Sequence, residues 1–502
     1  MEDSTTTPLL LLCVTLSLAA SLLLLRHAHA RNNSDANSKK DRLPPGPPAL
    51  LFLAKFLALR RSIFDLGPLL RDLHARHGPV ISLRLASTLV FVADRRLAHR
   101  VLVQGGATFA DRPPPVDPGR LFSGGRDISA SPYGAYWRLV RRNLASEVLH
   151  PARVSLFAPT RRWACDALVK NLRARSNEGA VTLRPFLRRA MFELLVYMCF
   201  GARLGQEALD EIEDLQHSVL LSFTTFPIFA FFPAVTKRLF RARWEAHVAV
   251  RRRQDEMFGQ LIHATRGEDD PPCYADSLRA LRVADESDRP LTDAEMVSLC
   301  SEFLNGGTDT TVTLVEWIMA ELVNHPDVQA KVREEVNAEP ELNDGDTQAM
   351  PYLKAVVLEG LRLHPPGHFV LPHSVQSDAD IGGYTVHKGA EVNFLVAEIG
   401  RDETVWTAAR EFRPERFLDG GEGCGVDITG SREIKMMPFG AGRRMCPGYS
   451  LGMHHAEYFL ARMVRELEWR PPVDGVAVDM AEALDFTTVM KHPLRARIVA
   501  IS

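Results

Sequence analysis

A run of roughly thirty residues that reads as one helix, with two adjacent glycines at its centre, most constrains the fold of this chain. It opens with Leu291-Thr292-Asp293-Ala294-Glu295-Met296, where Thr292 and Glu295 have capping-box spacing and Leu291 with Met296 can form a hydrophobic staple. It ends at Asn324-His325-Pro326. A helix this long is far above average and can cross an entire domain. Gly306 and Gly307 cost it about 1 kcal/mol each relative to alanine, so they need a reason.

Most of the remaining length also reads as amphipathic helix, so the fold class is mainly α with small β-sheets. Alternating runs at Val80 to Leu85 and Leu89 to Val92 predict one small sheet. A second is predicted from Ile381 to Val386 as a strand, His387-Lys388-Gly389 as its turn and Ala390 to Phe394 as the return strand. At 502 residues, 46% hydrophobic and 24% charged, the chain is globular, with no internal repeat and no linker dividing it after residue 43. A net charge of −2 gives no argument for nucleic acid or for a strongly acidic substrate. Seven scattered cysteines without a CxxC pair favour a reducing compartment, and only Cys446 sits in surroundings that suggest chemistry.

The chain divides into residues 1–30 as a membrane anchor, 31–48 as a polar spacer and proline-rich hinge, and 49–502 as one catalytic domain. Leu9 to Leu25 are uncharged and mostly leucine, about 25 Å long as a helix. Glu2 and Asp3 precede this run, while Arg26, Arg31, Lys39, Lys40 and Arg42 follow it, which places the body on the cytosolic side. A cleaved signal peptide is the competing reading, because Ala28-His29-Ala30 resembles a cleavage pattern. The segment Leu43-Pro44-Pro45-Gly46-Pro47-Pro48 holds itself extended and stiffens the joint.

The stretch Pro438-Phe439-Gly440-Ala441-Gly442-Arg443-Arg444-Met445-Cys446-Pro447-Gly448 joins a glycine-rich turn, cations and a thiol just before another amphipathic helix. Free N–H groups at that helix start favour thiolate over thiol, and Pro447 suits the first helical position. Glycines allow close approach to a flat cofactor, and Arg444 can reach an anionic edge. Taken alone, a cysteine beside such a turn is usually structural. Phe439, Gly442, Arg444, Cys446 and Gly448 together, however, match the haem-binding loop of the cytochrome P450 superfamily, which this chain resembles from the hinge to the C-terminus. The resemblance implies the cytochrome P450 fold, a helix-rich triangular prism, preceded here by an N-terminal transmembrane helix. It also implies haem b, with Cys446 as axial thiolate to the iron, Phe439 beside its sulfur and Arg444 at a propionate.

Gly306-Gly307-Thr308-Asp309-Thr310-Thr311 looks like the oxygen-activation segment of the same family. Phe303, Gly307, Thr310 and Leu314 share a helical face, so Gly307 is expected to leave room for dioxygen, and Thr310 can hydrogen-bond the Gly306 carbonyl. The resemblance assigns Asp309 and Thr310 to proton delivery with water as relay. Standing alone, the segment would read as a kinked core helix with a solvated aspartate.

Glu359 and Arg362 form the family's Glu-x-x-Arg pair, joined by Arg416, and can lock the scaffold behind the haem loop. Trp137 and Arg141 match its Trp-x-x-x-Arg helix and are carried over as propionate contacts. Arg138 and Arg142 belong to a solvated face, and with Arg443 they can receive an acidic electron donor. Two departures stand out. His373 replaces a common arginine, which makes that propionate contact weaker and pH-sensitive, and Gly360 replaces Thr or Ser, which puts helix stability in doubt.

Within the superfamily the chain resembles plant family eighty-nine, subfamily A. This likeness implies an enzyme of the endoplasmic reticulum membrane that takes electrons from NADPH through NADPH-cytochrome P450 reductase and inserts one oxygen atom into a lipophilic small molecule. Substrate contacts are expected from Phe109 to Tyr136, from Phe223, Phe226, Phe229, Phe231 and Phe232, from Val370-Leu371 and from Phe486 to Val489. For any single phenylalanine among these, plain core packing or membrane contact is the competing reading. A rearranging haem enzyme and a non-catalytic haem carrier are the alternative functions, and the Asp309-Thr310 pair argues against the first.

Overall fold

The computed structural model describes residues 42–47, 67–84, 87–225, 227–230, 232–267 and 270–501. The expected membrane anchor, the spacer to residue 41, Phe226 and Phe231 lie outside them. Among the described residues, no helix is long and apolar enough to cross a membrane.

The helices that position the site are α1 (Gly67–His77), α2 (Ala135–Glu147), α3 (Arg184–Phe200), α4 (Gln206–Thr224), α5 (Arg241–Ile262), α6 (Asp293–Asn324), α7 (Pro351–Leu363) and α8 (Tyr449–Glu466). The central element is α6. Its 32 residues span about 48 Å. Thr292 caps it as expected: the Thr292 hydroxyl accepts from the Glu295 N–H, and the Glu295 carboxylate accepts from the Thr292 N–H at 2.8 Å. Arg126 and Arg289 bind the same carboxylate and, with those hydrogen bonds, overcome its burial and hold it down to about 2. The helix is buried along most of its length, which explains its nearly all-round apolar sequence.

Glycine lets neighbouring helices press against α6. A Cβ on Gly307 would lie 2.9 Å from Leu195 Cδ1 of α3, and one on Gly360 of α7 would collide with Ile318. Gly360 therefore secures close packing rather than weakening its helix. Polar ties complete the arrangement: Arg184 pairs with fully buried Glu316 at 2.6 Å, and Trp317 donates its indole N–H to Thr488 O at 2.8 Å.

The strands are β1 (Val80–Arg84), β2 (Thr88–Val92), β3 (His373–Ser374), β4 (Ala379–Ile381), β5 (Tyr384–Val386), β6 (Glu391–Phe394), β7 (Glu482–Leu484) and β8 (Thr488–Met490). The first sheet runs β1-β2-β6-β3, with β2 and β6 parallel. This corrects the expected second sheet. Gly382 and Gly383, both at positive φ, turn the chain between β4 and β5, so that span is itself a hairpin. β6 does not return to it but pairs with β2 and β3. The proline hinge is likewise part of the body. Ser82 donates its N–H to Pro45 O at 2.8 Å and its hydroxyl to Pro44 O at 2.7 Å, which seats the segment against β1.

Behind the first sheet, Leu102, Val392, Phe394, Met437 and Ala441 form an apolar core distinct from the one around α6. That core carries the Cys446 loop.

Candidate active site

The Cys446 loop closes on itself, because the Cys446 N–H donates to Phe439 O at 2.8 Å and so brings the aromatic ring and thiol onto one turn. Gly442, at φ +72°, has Leu102 O where any side chain would begin, so only glycine fits. The helix begins at Tyr449 with Gly448 as its cap, so Pro447 precedes the helix instead of opening it. Burial raises the Cys446 thiol above its usual range, while the Gly448 N–H and the Arg141 charge pull it back.

Around this loop three guanidinium groups converge. Arg141, one turn after Trp137 on α2, donates to Met445 O at 2.5 Å. Arg444 donates to Ala110 O, Ile128 O and Ser131 O, and lies 4.4 Å over the Trp137 ring. Arg112, which the sequence reading passed over, donates to Ser129 O, Leu371 O and Pro372 O. Its only sequence signal is a cation before a proline run. Among the described residues no carboxylate reaches ion-pair distance of these three. Asp111 and Glu302 instead accept backbone N–H groups, Glu302 those of Ile128 and Ser129 at 2.7 Å each. Burial and mutual repulsion push Arg112 down to about 9, and burial pushes Arg444 to about 10, with Arg141 adding to it.

Such a cluster is held together at a cost that an anion offsets. The two carboxylates of haem b fit it. Cys446 would hold the iron, with Arg112, Arg141 and Arg444 at the propionates. Two residues expected at the propionates have bonds of their own within the protein. The single donor of Trp137 goes to Ile128 O at 3.1 Å, so its part is to support Arg444. His373 bonds Phe109 O at 2.7 Å, and burial together with Arg112 pushes it down to about 3. Its ring is thus buried and bonded to a backbone carbonyl, an environment that disfavours the charged form.

Mid-way along α6, Gly306 is exposed and a Cβ there would touch nothing within 4 Å among the described residues, whereas Gly307 faces Leu195. The open glycine is therefore Gly306, not Gly307 as the face pattern suggested. Thr310 donates its hydroxyl to Gly306 O at 2.7 Å, as expected for a loosened helix. Asp309 pairs with Arg188 of α3, which also binds Glu213 of α4 at 2.7 Å. The other Asp309 oxygen, Oδ2, is buried without a partner among the described residues, and burial raises the carboxyl.

The scaffold lock forms as expected. Arg362 grips Glu359 at 2.6 and 2.8 Å, Arg416 adds a contact at 3.2 Å, and all three are buried. The aromatic run divides. Phe229 is core, packed on Trp244, while Phe223 and Phe232 are 41% and 50% exposed, so neither fits a closed substrate wall. Val370 lies 3.8 Å from the Cβ position of Gly440, beside the loop. Exposed Arg138, Arg142 and Arg443 share one surface, with Arg443 held by Tyr133 at 2.6 Å.

A half-buried thiol on a glycine-rich loop, an anion-seeking arginine cluster and an opened helix with a bonded threonine together define a haem-thiolate oxygenase. The cytochrome P450 family model matches residues 44–498, and the chain belongs to that family. It is 43% identical to cytochrome P450 89A9 of Arabidopsis thaliana over 91% of this chain and 93% of the relative. It is 31% identical to flavonoid 3'-monooxygenase of Arabidopsis thaliana, covering 97% and 96%, and 30% identical to 5-epiaristolochene 1,3-dihydroxylase of Nicotiana tabacum, covering 92% and 94%. A zebra fish cytochrome P450 solved with abiraterone shares the fold, with a TM-score of 0.71 at 23% identity, covering 87% of this chain and 99% of that one.

Proposed function

We propose that this monooxygenase inserts one oxygen atom from O2 into a lipophilic small molecule, using electrons that NADPH-cytochrome P450 reductase takes from NADPH. The carrying observation is the convergence of Arg112, Arg141 and Arg444 on the Cys446 loop without a carboxylate partner among the described residues. Haem held by Cys446 would supply oxygen activation, which electron donation from a thiolate favours. The chain's own residues govern protons and access. Thr310 holds its hydroxyl proton on Gly306 O beside the open face of α6, and the partnerless Oδ2 of Asp309 is where a proton can reside on its way in.

The relatives' names, a flavonoid monooxygenase and a hydroxylase of 5-epiaristolochene, support a lipophilic plant metabolite as substrate class. Arg138, Arg142 and Arg443 offer the basic surface that an acidic reductase would meet. Leu221, Phe223, Phe232, Val235 and Leu239, all 41–52% exposed, form an apolar region suited to membrane lipid. Together with the apolar N-terminal run, it supports a place on the endoplasmic reticulum membrane.

The test is the reduced protein with carbon monoxide, followed by reconstitution with the reductase in lipid vesicles. The expected result is a red-shifted thiolate band and NADPH use that rises with a lipophilic substrate. Absence of the band overturns the reading, and a band with no substrate-dependent NADPH use across a broad lipophile panel leaves a haem carrier.

A further inference from the structure

One helical turn before the open Gly306, α6 carries Glu302, a half-buried carboxylate outside both the acid-alcohol pair and the scaffold lock. It reaches across to a strap, residues 126–131, that lies just before α2. Both of its oxygens are spent there, Oε2 on the Ile128 N–H and Oε1 on the Ser129 N–H, at 2.7 Å each.

The opposite edge of the strap faces the arginine cluster. Ile128 O accepts from Arg444 at 3.0 Å and from the Trp137 indole at 3.1 Å, Ser129 O accepts from Arg112 Nε at 2.9 Å, and Ser131 O accepts from Arg444 at 2.6 Å. The Ser129 N–H and the Ile128 O are the two ends of one planar peptide group, so Glu302 and Arg444 grip a single dipole from opposite sides. Both polarise that peptide in the same sense, and each strengthens the other's bond. Asp127 closes the strap as a tight turn, its Oδ1 accepting the Ala130 N–H at 2.6 Å and its carbonyl the Ser131 N–H at 3.2 Å.

Arg112 and Arg444 are therefore aimed by carbonyls of the residues whose N–H groups Glu302 holds. Its negative charge also opposes, for Arg112, Arg141 and Arg444 alike, the burial that disfavours their charged forms. Charge and position act in opposite directions on a haem carboxylate. A fixed anion behind the cluster repels it, whereas arginines already held in place meet it without first being ordered. Position is expected to win, because ordering guanidinium side chains and leaving two N–H groups without an acceptor costs more than repulsion across an intervening layer of cations.

We propose that Glu302 is a positioning residue for the haem seat: through the strap it fixes Arg112 and Arg444 in the directions that the propionates would need. This rests on the reading of the arginine cluster as the propionate site. With both oxygens committed to backbone N–H groups, its part is orientation, not proton transfer. It also ties the strap to the helix that carries Gly306 and Thr310, so the propionate seat and the open face of α6 keep one geometry.

The test uses the full-length haem-loaded protein with Glu302→Gln and Glu302→Ala, and reads haem release to excess apomyoglobin and the propionate bending band in resonance Raman spectra. Release should quicken roughly three- to tenfold for Glu302→Gln, which keeps one acceptor, and further for Glu302→Ala, which keeps none. The propionate band should shift while the vinyl bands stay, because only the carboxylate ends of haem lose aligned partners. The near-isosteric Glu302→Gln keeps the test decisive if the alanine variant does not fold. Release unchanged in both variants overturns the proposal. Slower release also overturns it, since Glu302 would then act only as a repelling charge, and so does faster release with an unmoved propionate band, the mark of general loosening. A wild-type protein that gives no thiolate band with carbon monoxide overturns the haem reading itself, whereas a wild type with that band and unaffected variants overturns this inference alone.

Discussion

Gly360 of α7 lies so close to Ile318 of α6 that a Cβ at residue 360 would fall 2.8 Å from the Ile318 Cδ1 atom. Glycine inside a helix is normally a loss, yet here it sets the approach of two buried helices. Gly360→Thr should lower unfolding stability by about 1–3 kcal/mol, the range of overpacked cores. Urea unfolding followed by far-UV circular dichroism measures this. An unchanged midpoint would mean that α7 can shift without penalty.

Gly306 and Gly307 should separate cleanly. Gly307→Ala meets Leu195 and is expected to destabilise the fold, by about 1 kcal/mol or more. Gly306→Ala points into open space, so helix propensity should stabilise the protein by up to about 1 kcal/mol while the added methyl slows turnover. Thermal melts and product formation rates, measured on both variants, distinguish them; equal effects on stability would contradict the assigned faces.

Thr310→Ala removes the hydroxyl bonded to Gly306 O. Product formed per NADPH consumed should drop roughly tenfold or more, with the difference recovered as peroxide. Unchanged coupling removes Thr310 from proton delivery.

His373 gives the pH prediction. Its folded value, about 3, lies below the unfolded value near 6.5, so the unfolded chain binds the extra proton between those limits. Stability from this residue is intact above pH 6.5 and falls as pH drops towards 3, at up to about 1.4 kcal/mol per pH unit. His373→Asn should lose that part of the slope. The comparison is the urea midpoint of both proteins at pH 6.5 and 5.5, and parallel shifts would show that His373 is not the buried neutral group described.

Much of the site could be read along the chain because its signals are local. The capping box of Thr292 and Glu295, the Thr310 bond to Gly306 and the Glu359-Arg362 pair all join residues within four positions, where helix geometry decides the contact. The Cys446 loop is local as well, since its turn glycines and thiol lie within a few residues. The β4-β5 turn was misplaced although it is local, because Gly382-Gly383 and Gly389 offered competing turn signals and only the pairing chose between them.

By itself, the order of residues determined the long helix, the thiolate loop, the acid-alcohol pair and hence the family, because each depends on short-range spacing. Tertiary structure alone decided which glycine of α6 is open, that Arg112 joins Arg141 and Arg444, that Trp137 donates to Ile128 O beneath Arg444, and that His373 is buried against Phe109 O. Those outcomes depend on which distant segments share a volume and exclude water from it. Chain spacing does not encode that environment until the fold has formed.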